Sequence, residues 1–97
     1  MKAEYHPETV NDLNSAVLRY NEIRPGLGDA LRAEVYAAVD RVLSNPLAYP
    51  RVEGEIRRCL VHRFPYSVLF RIVAPEQARV LVIRHHRRHP SFGLNRR

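Results

Sequence analysis

The hydrophobic period of this chain changes once, at Asn45-Pro46, and that change limits the folds open to it. Before it, apolar residues recur at spacings of three and four. After it, they alternate or run together over short stretches. A period near 3.6 buries one stripe of a helix, whereas a period of 2 buries one face of a strand. A chain that uses the first pattern and then the second keeps its helices and strands apart, which is the mark of an α+β fold.

Residues 2–5 read as a short extended start. His6-Pro7-Glu8 opens a helix, because proline fits the first turn and Glu8 suits the positive end of the helix dipole. Val10, Leu13, Val17 and Tyr20 then form one stripe over about Pro7–Arg24. Arg24-Pro25-Gly26-Leu27-Gly28 breaks that helix. A second helix begins near Leu27 or Asp29, with Leu27, Leu31, Val35, Ala38, Val39 and Val42 in phase, and stops at Ser44-Asn45-Pro46. Residues 46–54 read as a loop. Ile56 to His62 is a strand of mixed apolar and basic residues, and Phe64-Pro65 marks a tight connection. Tyr66, Val68, Phe70 and Ile72 alternate with Ser67, Leu69 and Arg71. Ala74-Pro75-Glu76-Gln77 is a hairpin turn. Val80-Leu81-Val82-Ile83 is apolar on both faces, as in a strand inside a sheet, and Ser91 to Arg97 reads as a short tail.

The 97 residues suffice for one domain, 1–97. The predicted architecture is two-layer α+β. An N-terminal strand and a helical hairpin precede a three-stranded antiparallel meander, which completes a four-stranded sheet. No apolar run approaches the roughly 20 residues that span a bilayer, so no membrane association is expected. The polar opening residues give no secretory leader. One cysteine, Cys59, leaves no internal disulfide and no cysteine-based zinc site, and the cytoplasm is the expected compartment.

Charge narrows the possible partners. The net charge is +6, and fifteen of the sixteen basic residues are arginine. Residues 1–48 hold five basic and seven acidic residues, whereas residues 49–97 hold eleven and three. The excess therefore sits in the second half, which suits a polyanionic or acidic counterpart. An Arg-rich genome would explain the preference over lysine but not this segregation.

Residues 84–89 are all Arg or His. Strand alternation sends Arg84, His86 and Arg88 to one face and His85, Arg87 and His89 to the other. Such a cluster contacts phosphate or carboxylate through guanidinium forks, with histidine available for proton transfer, unless it is only a solvated strand end. A metal site from His85, His86 and His89 is disfavoured, because adjacent strand residues diverge and the arginines repel a cation. Arg57, Arg58, His62 and Arg63, with Arg71 on the next strand, form a second basic group. Ser15, Ser44, Ser67 and Ser91 sit in no nucleophile elbow. Cys59 reads as a small core residue. The second half offers only Glu53, Glu55 and Glu76 as carboxylates, and its glycines form no phosphate loop, so hydrolase chemistry finds no support.

Several of these stretches, taken in order, resemble the RelE/ParE superfamily of toxins from type II toxin–antitoxin modules, also described as plasmid-stabilisation proteins. The carriers are His6-Pro7-Glu8, Asn45-Pro46, the run from Arg57 to Arg71 containing Arg63-Phe64-Pro65-Tyr66, and the close from Val82 to Pro90. The resemblance implies a small basic toxin, without cofactor, neutralised by a cognate acidic antitoxin, with a toxin dimer possible in that complex. One branch of the superfamily inhibits DNA gyrase. The other is a metal-independent endoribonuclease acting on ribosome-bound mRNA. Nuclease members place an Arg early in the third strand after an aromatic, where this chain has Ser67. They often carry an ionisable Tyr or His late in the chain, where it has Phe92. The Phe64-Pro65-Tyr66 signature and the long hairpin look more like the gyrase branch. On that reading no catalytic residue is expected. Arg84, His86, Arg87, Arg88 and Phe92 contact the target, and Arg57, Arg58, Arg63 and Arg71 contact the antitoxin. On the nuclease alternative Arg63, Arg71, His86 and Arg87 would be catalytic.

Overall fold

The computed structural model describes residues 1–97. Strand β1 (Lys2–Tyr5) is followed by helices α1 (Pro7–Ile23) and α2 (Leu27–Ser44) and a short 3-10 turn. Strands β2 (Arg51–Glu53), β3 (Ile56–Leu60), β4 (Tyr66–Ala74) and β5 (Gln77–His85) complete the chain's regular structure. The sheet order is β1-β5-β4-β3-β2, with β1 parallel to β5 and the other neighbours antiparallel. It therefore has five strands where four were predicted. The extra one, β2, lies within the predicted loop. Its three residues are all exposed, so no hydrophobic pattern announces it.

Local chemistry sets the helix ends. The His6 ring accepts a hydrogen bond from the Glu8 amide at 3.0 Å, which caps α1 ahead of Pro7. The buried stripe of α1 is Thr9, Leu13, Ala16 and Val17, while Val10 from the predicted stripe stays half-exposed on its flank. Thr9 is buried because its hydroxyl donates to the Val80 carbonyl at 3.1 Å. Gly26, at φ 90°, precedes α2 and has no side chain to cap it. Asn21 does so instead. Its Oδ1 accepts from the Gly26 amide at 3.1 Å and the Gly28 amide at 2.8 Å. The two helices cross closely here, and a Cβ on Gly28 would lie 2.1 Å from the Val17 carbonyl oxygen.

The hairpin covers one face of the sheet. Leu31, Val35, Ala38 and Val42 pack with Cys59, Val68, Phe70 and Val80 in the main core. A bulge in β5 sets the other face. Leu69 pairs with Val82 and Phe70 with Val80, leaving Leu81 as an extra residue. Val80 and Ile83 face the helices, and Leu81 and Val82 both join Ile56 and Leu69 in a second, smaller cluster.

Residues 91–97 are not a free tail. Phe92 and Leu94 pack on that second cluster, and Gly93, at φ 83°, lies so close to Val82 that a Cβ would fall 2.8 Å from it. Arg96 then crosses the edge of β5 beyond the end of β1. Its guanidinium bonds Asp12 at 2.6 Å and the Leu81 carbonyl at 2.9 Å. Asp12 also accepts from the Ile83 amide at 3.3 Å. Strand groups left without a β partner are thus satisfied by a side-chain ion pair.

Candidate functional site

The open face of the sheet carries a groove of about 330 Å³. Register builds it. Leu60 on β3 pairs with Ser67 on β4, which pairs with Arg84 on β5, so three strands contribute adjacent side chains. Arg58 lies one step along β3 on the same face, and His86, Arg88 and Pro90 close the end of the groove. The predicted set Arg84, His86 and Arg88 does converge. It does so through a turn, because β5 ends at His85 rather than running on to residue 89.

Ser67 is 3% exposed, and its hydroxyl lies 3.0 Å from Nε2 of His86. The His86 amide donates to the Pro65 carbonyl at 2.9 Å, so backbone and ring are both held. The Arg84 guanidinium is tethered to the carbonyls of Pro90 and Phe92. Burial, and then the like charge of Arg58, push its pKa below the usual arginine value.

A smaller recess of about 180 Å³ opens on the helix side of the same strand end, lined in part by Arg19, Tyr66, His85 and Arg88. The His85 and Tyr66 rings meet edge to face at 5.0 Å. Nδ1 of His85 accepts from the Arg87 amide at 2.9 Å, which leaves the proton of the neutral ring on Nε2. Burial lowers the His85 pKa from its ordinary 6.5, helped by Arg87, His86, Arg19 and Arg88. Arg88 lines both hollows and is the only side chain they share.

The other predicted residues are spread out. Arg87 is exposed in the turn after β5. Phe92 packs against the sheet, with the guanidiniums of Arg88 and Arg96 at 4.4 and 5.2 Å from its ring centre. Arg57 and Arg58 point to opposite faces, and Arg57 donates to the Tyr49 carbonyl at 2.7 Å. Arg63 occupies the β3–β4 turn at φ 71°, its guanidinium 5.3 Å from the centre of the Phe64 ring. Arg71 lies further down the open face, beside Leu94 and Glu53. Arg63, Arg71, His86 and Arg87 therefore do not share one pocket. The Ser67–His86 contact was missed because it spans two strands. The predicted meander register was the signal available for it. No three His, Cys, Asp or Glu side chains converge as a metal-binding group.

A helical hairpin on one face of a small mixed sheet, with an arginine-lined groove on the other, is the architecture that the resemblance to the RelE/ParE superfamily implied. The profile described as "ParE toxin of type II toxin-antitoxin system, parDE" matches residues 3–90. The chain belongs to that family, and it is the toxin component of a ParDE-type system. A solved structure described as "Chromosomal ParDE TA system from P. aeruginosa" superposes with a TM-score of 0.76 at 18% identity. That likeness covers 88% of this chain and 95% of the other, and supports the fold. No curated protein matches the chain. Family membership brings with it a cognate antitoxin as partner.

Proposed function

We propose that this toxin acts in the cytoplasm by binding DNA gyrase and halting its cycle, and that it does not cleave RNA. The observation that carries this reading is Ser67. It stands where nuclease members of the superfamily place an arginine, and it is buried and bonded to His86. A serine there supplies no positive charge for the phosphorane formed during 2′-OH attack. Phe92 adds no ionisable group, and the guanidiniums of Arg88 and Arg96 lie against its ring. Gyrase inhibition needs binding without chemistry, which suits a surface of fixed guanidiniums. No helix is long and apolar enough to cross a membrane.

The antitoxin, on this reading, lays an amphipathic segment along the groove between α1 and α2, where Tyr5, Val10, Leu13, Val35 and Tyr36 form an apolar lining. Its acidic residues extend over the sheet face towards Arg71. The test uses purified toxin with gyrase and relaxed plasmid, beside translating ribosomes carrying a labelled message. Supercoiling should stop or cleaved DNA accumulate, with the message intact. Unimpaired supercoiling would remove the gyrase reading, and codon-specific cleavage would put the nuclease in its place.

A further inference from the structure

The open-face groove gathers positive charge without any internal counter-charge. Three arginines of the second half are bound to carboxylates: Arg51 to Glu55, Arg79 to Glu4 and Arg96 to Asp12. None of them lines the groove, and neither does any acidic residue. Arg58, Arg84 and Arg88 line it instead, and the only hydrogen bonds made by their guanidiniums are those of Arg84 to two backbone carbonyls. Carbonyls fix the Arg84 fork without cancelling its charge. Arg88 is steadied by Phe92, and the His86 ring by Ser67. Unopposed like charges around one hollow repel one another, and an anion between them relieves that repulsion.

We propose that this groove is a binding site for the phosphodiester backbone of a nucleic acid strand, engaged directly by the toxin and independently of its protein target. The lining argues against an acidic peptide as the intended ligand. Protein segments are anchored by apolar and aromatic side chains, and here only Leu60 and Pro90 are apolar. The molecule's apolar groove is elsewhere, between the helices. Guanidinium forks match phosphate oxygens in pairs. No free aromatic ring lines the groove, so bases have nothing to stack on and binding is indifferent to sequence.

The test is fluorescence anisotropy of a dye-labelled, mixed-sequence single-stranded DNA titrated with the purified full chain, without gyrase or ribosomes. Failure of the gyrase reading therefore leaves it untouched. Three neutralised phosphates should give a slope of log affinity against log salt of about −2. Arg58→Gln and Arg88→Gln should each weaken binding about 5-fold and flatten the slope by about 0.7. Arg32→Gln, on the hairpin, should leave both unchanged. Arg58 makes no ion pair or hydrogen bond through its side chain, so its variant keeps the fold, which a thermal melt verifies. Wild-type binding by both groove variants, or an equal loss in Arg32→Gln, would overturn the site. So would displacement of the strand by inorganic phosphate at matched phosphate concentration, which would make it a small-anion pocket. Displacement by poly-glutamate at matched charge would give it to an acidic peptide and also end the proposal.

Discussion

His85 shows how one side chain couples charge to stability. Its ring is wedged against Tyr66, and four neighbouring cationic or imidazole groups add to burial in lowering its pKa below 6.5. The unfolded chain therefore takes up a proton near pH 6.5 that the folded chain still refuses. Between that pH and the lower folded value the unfolded state binds more protons, so stability falls as the pH falls. Above 6.5 the contribution is fully present. Thermal melts at pH 7.5 and pH 5.5 check this: the melting temperature should drop on acidification, and His85→Gln should lose part of that drop. Equal drops in both proteins would refute it. The basic run at 84–89 was legible as a cluster from sequence. That His85 and His86 point to opposite faces followed from alternation; that His85 is the one on the helix side did not, because the bulge at Leu81 decides it. Nor did its packing on Tyr66, which depends on the register that sets Tyr66 of β4 opposite His85 of β5.

At the scale of elements, the two helices and three long strands were legible because each buries a regular stripe or face. Strand β2 was not, since Arg51, Val52 and Glu53 bury nothing. The C-terminal segment was read as a tail because two apolar residues among Ser, Gly, Asn and Arg have no period. Its order comes from successive tight turns and from the Arg96–Asp12 pair, both side chains of which are nearly buried. The α1–α2 junction rests on a local side chain, Asn21, which holds two otherwise unpaired amides at the start of the second helix. Asn21→Ala should cost about 1–2 kcal/mol, the range for losing a helix cap. Urea denaturation measures it, as a lower midpoint with an unchanged slope. No shift of the midpoint would mean that water caps the helix equally well.

For the molecule as a whole, the charge asymmetry legible in the sequence becomes a division between faces. The helix face buries most of the core and offers an apolar groove, while the strand-end face presents Arg58, Arg84 and Arg88 around a hollow. An acidic antitoxin meeting such a surface is steered by long-range attraction, which salt screens within about 8–10 Å. Stopped-flow association with the cognate antitoxin should slow about 10-fold or more between 50 and 500 mM salt, with the dissociation rate changing far less. An association rate indifferent to salt would show that the arginines take no part in the encounter. The superfamily was legible from ordered motifs spread along the chain. The groove was only half legible, because Arg58 and Ser67 reach it by strand pairing rather than by proximity in the sequence.

The additional residue at Leu81 has a consequence for sidedness. Counting by twos from Val80, which faces the helices, an unbroken strand would bring Val82 and then Arg84 inward. The extra step reverses that parity, so Arg84 emerges beside Ser67 and His85 turns inward to Tyr66. Which face receives Arg84 is thus decided by an odd or even count in one strand. Deleting a single residue there would exchange the faces of Arg84 and His85 without altering the charge of the chain.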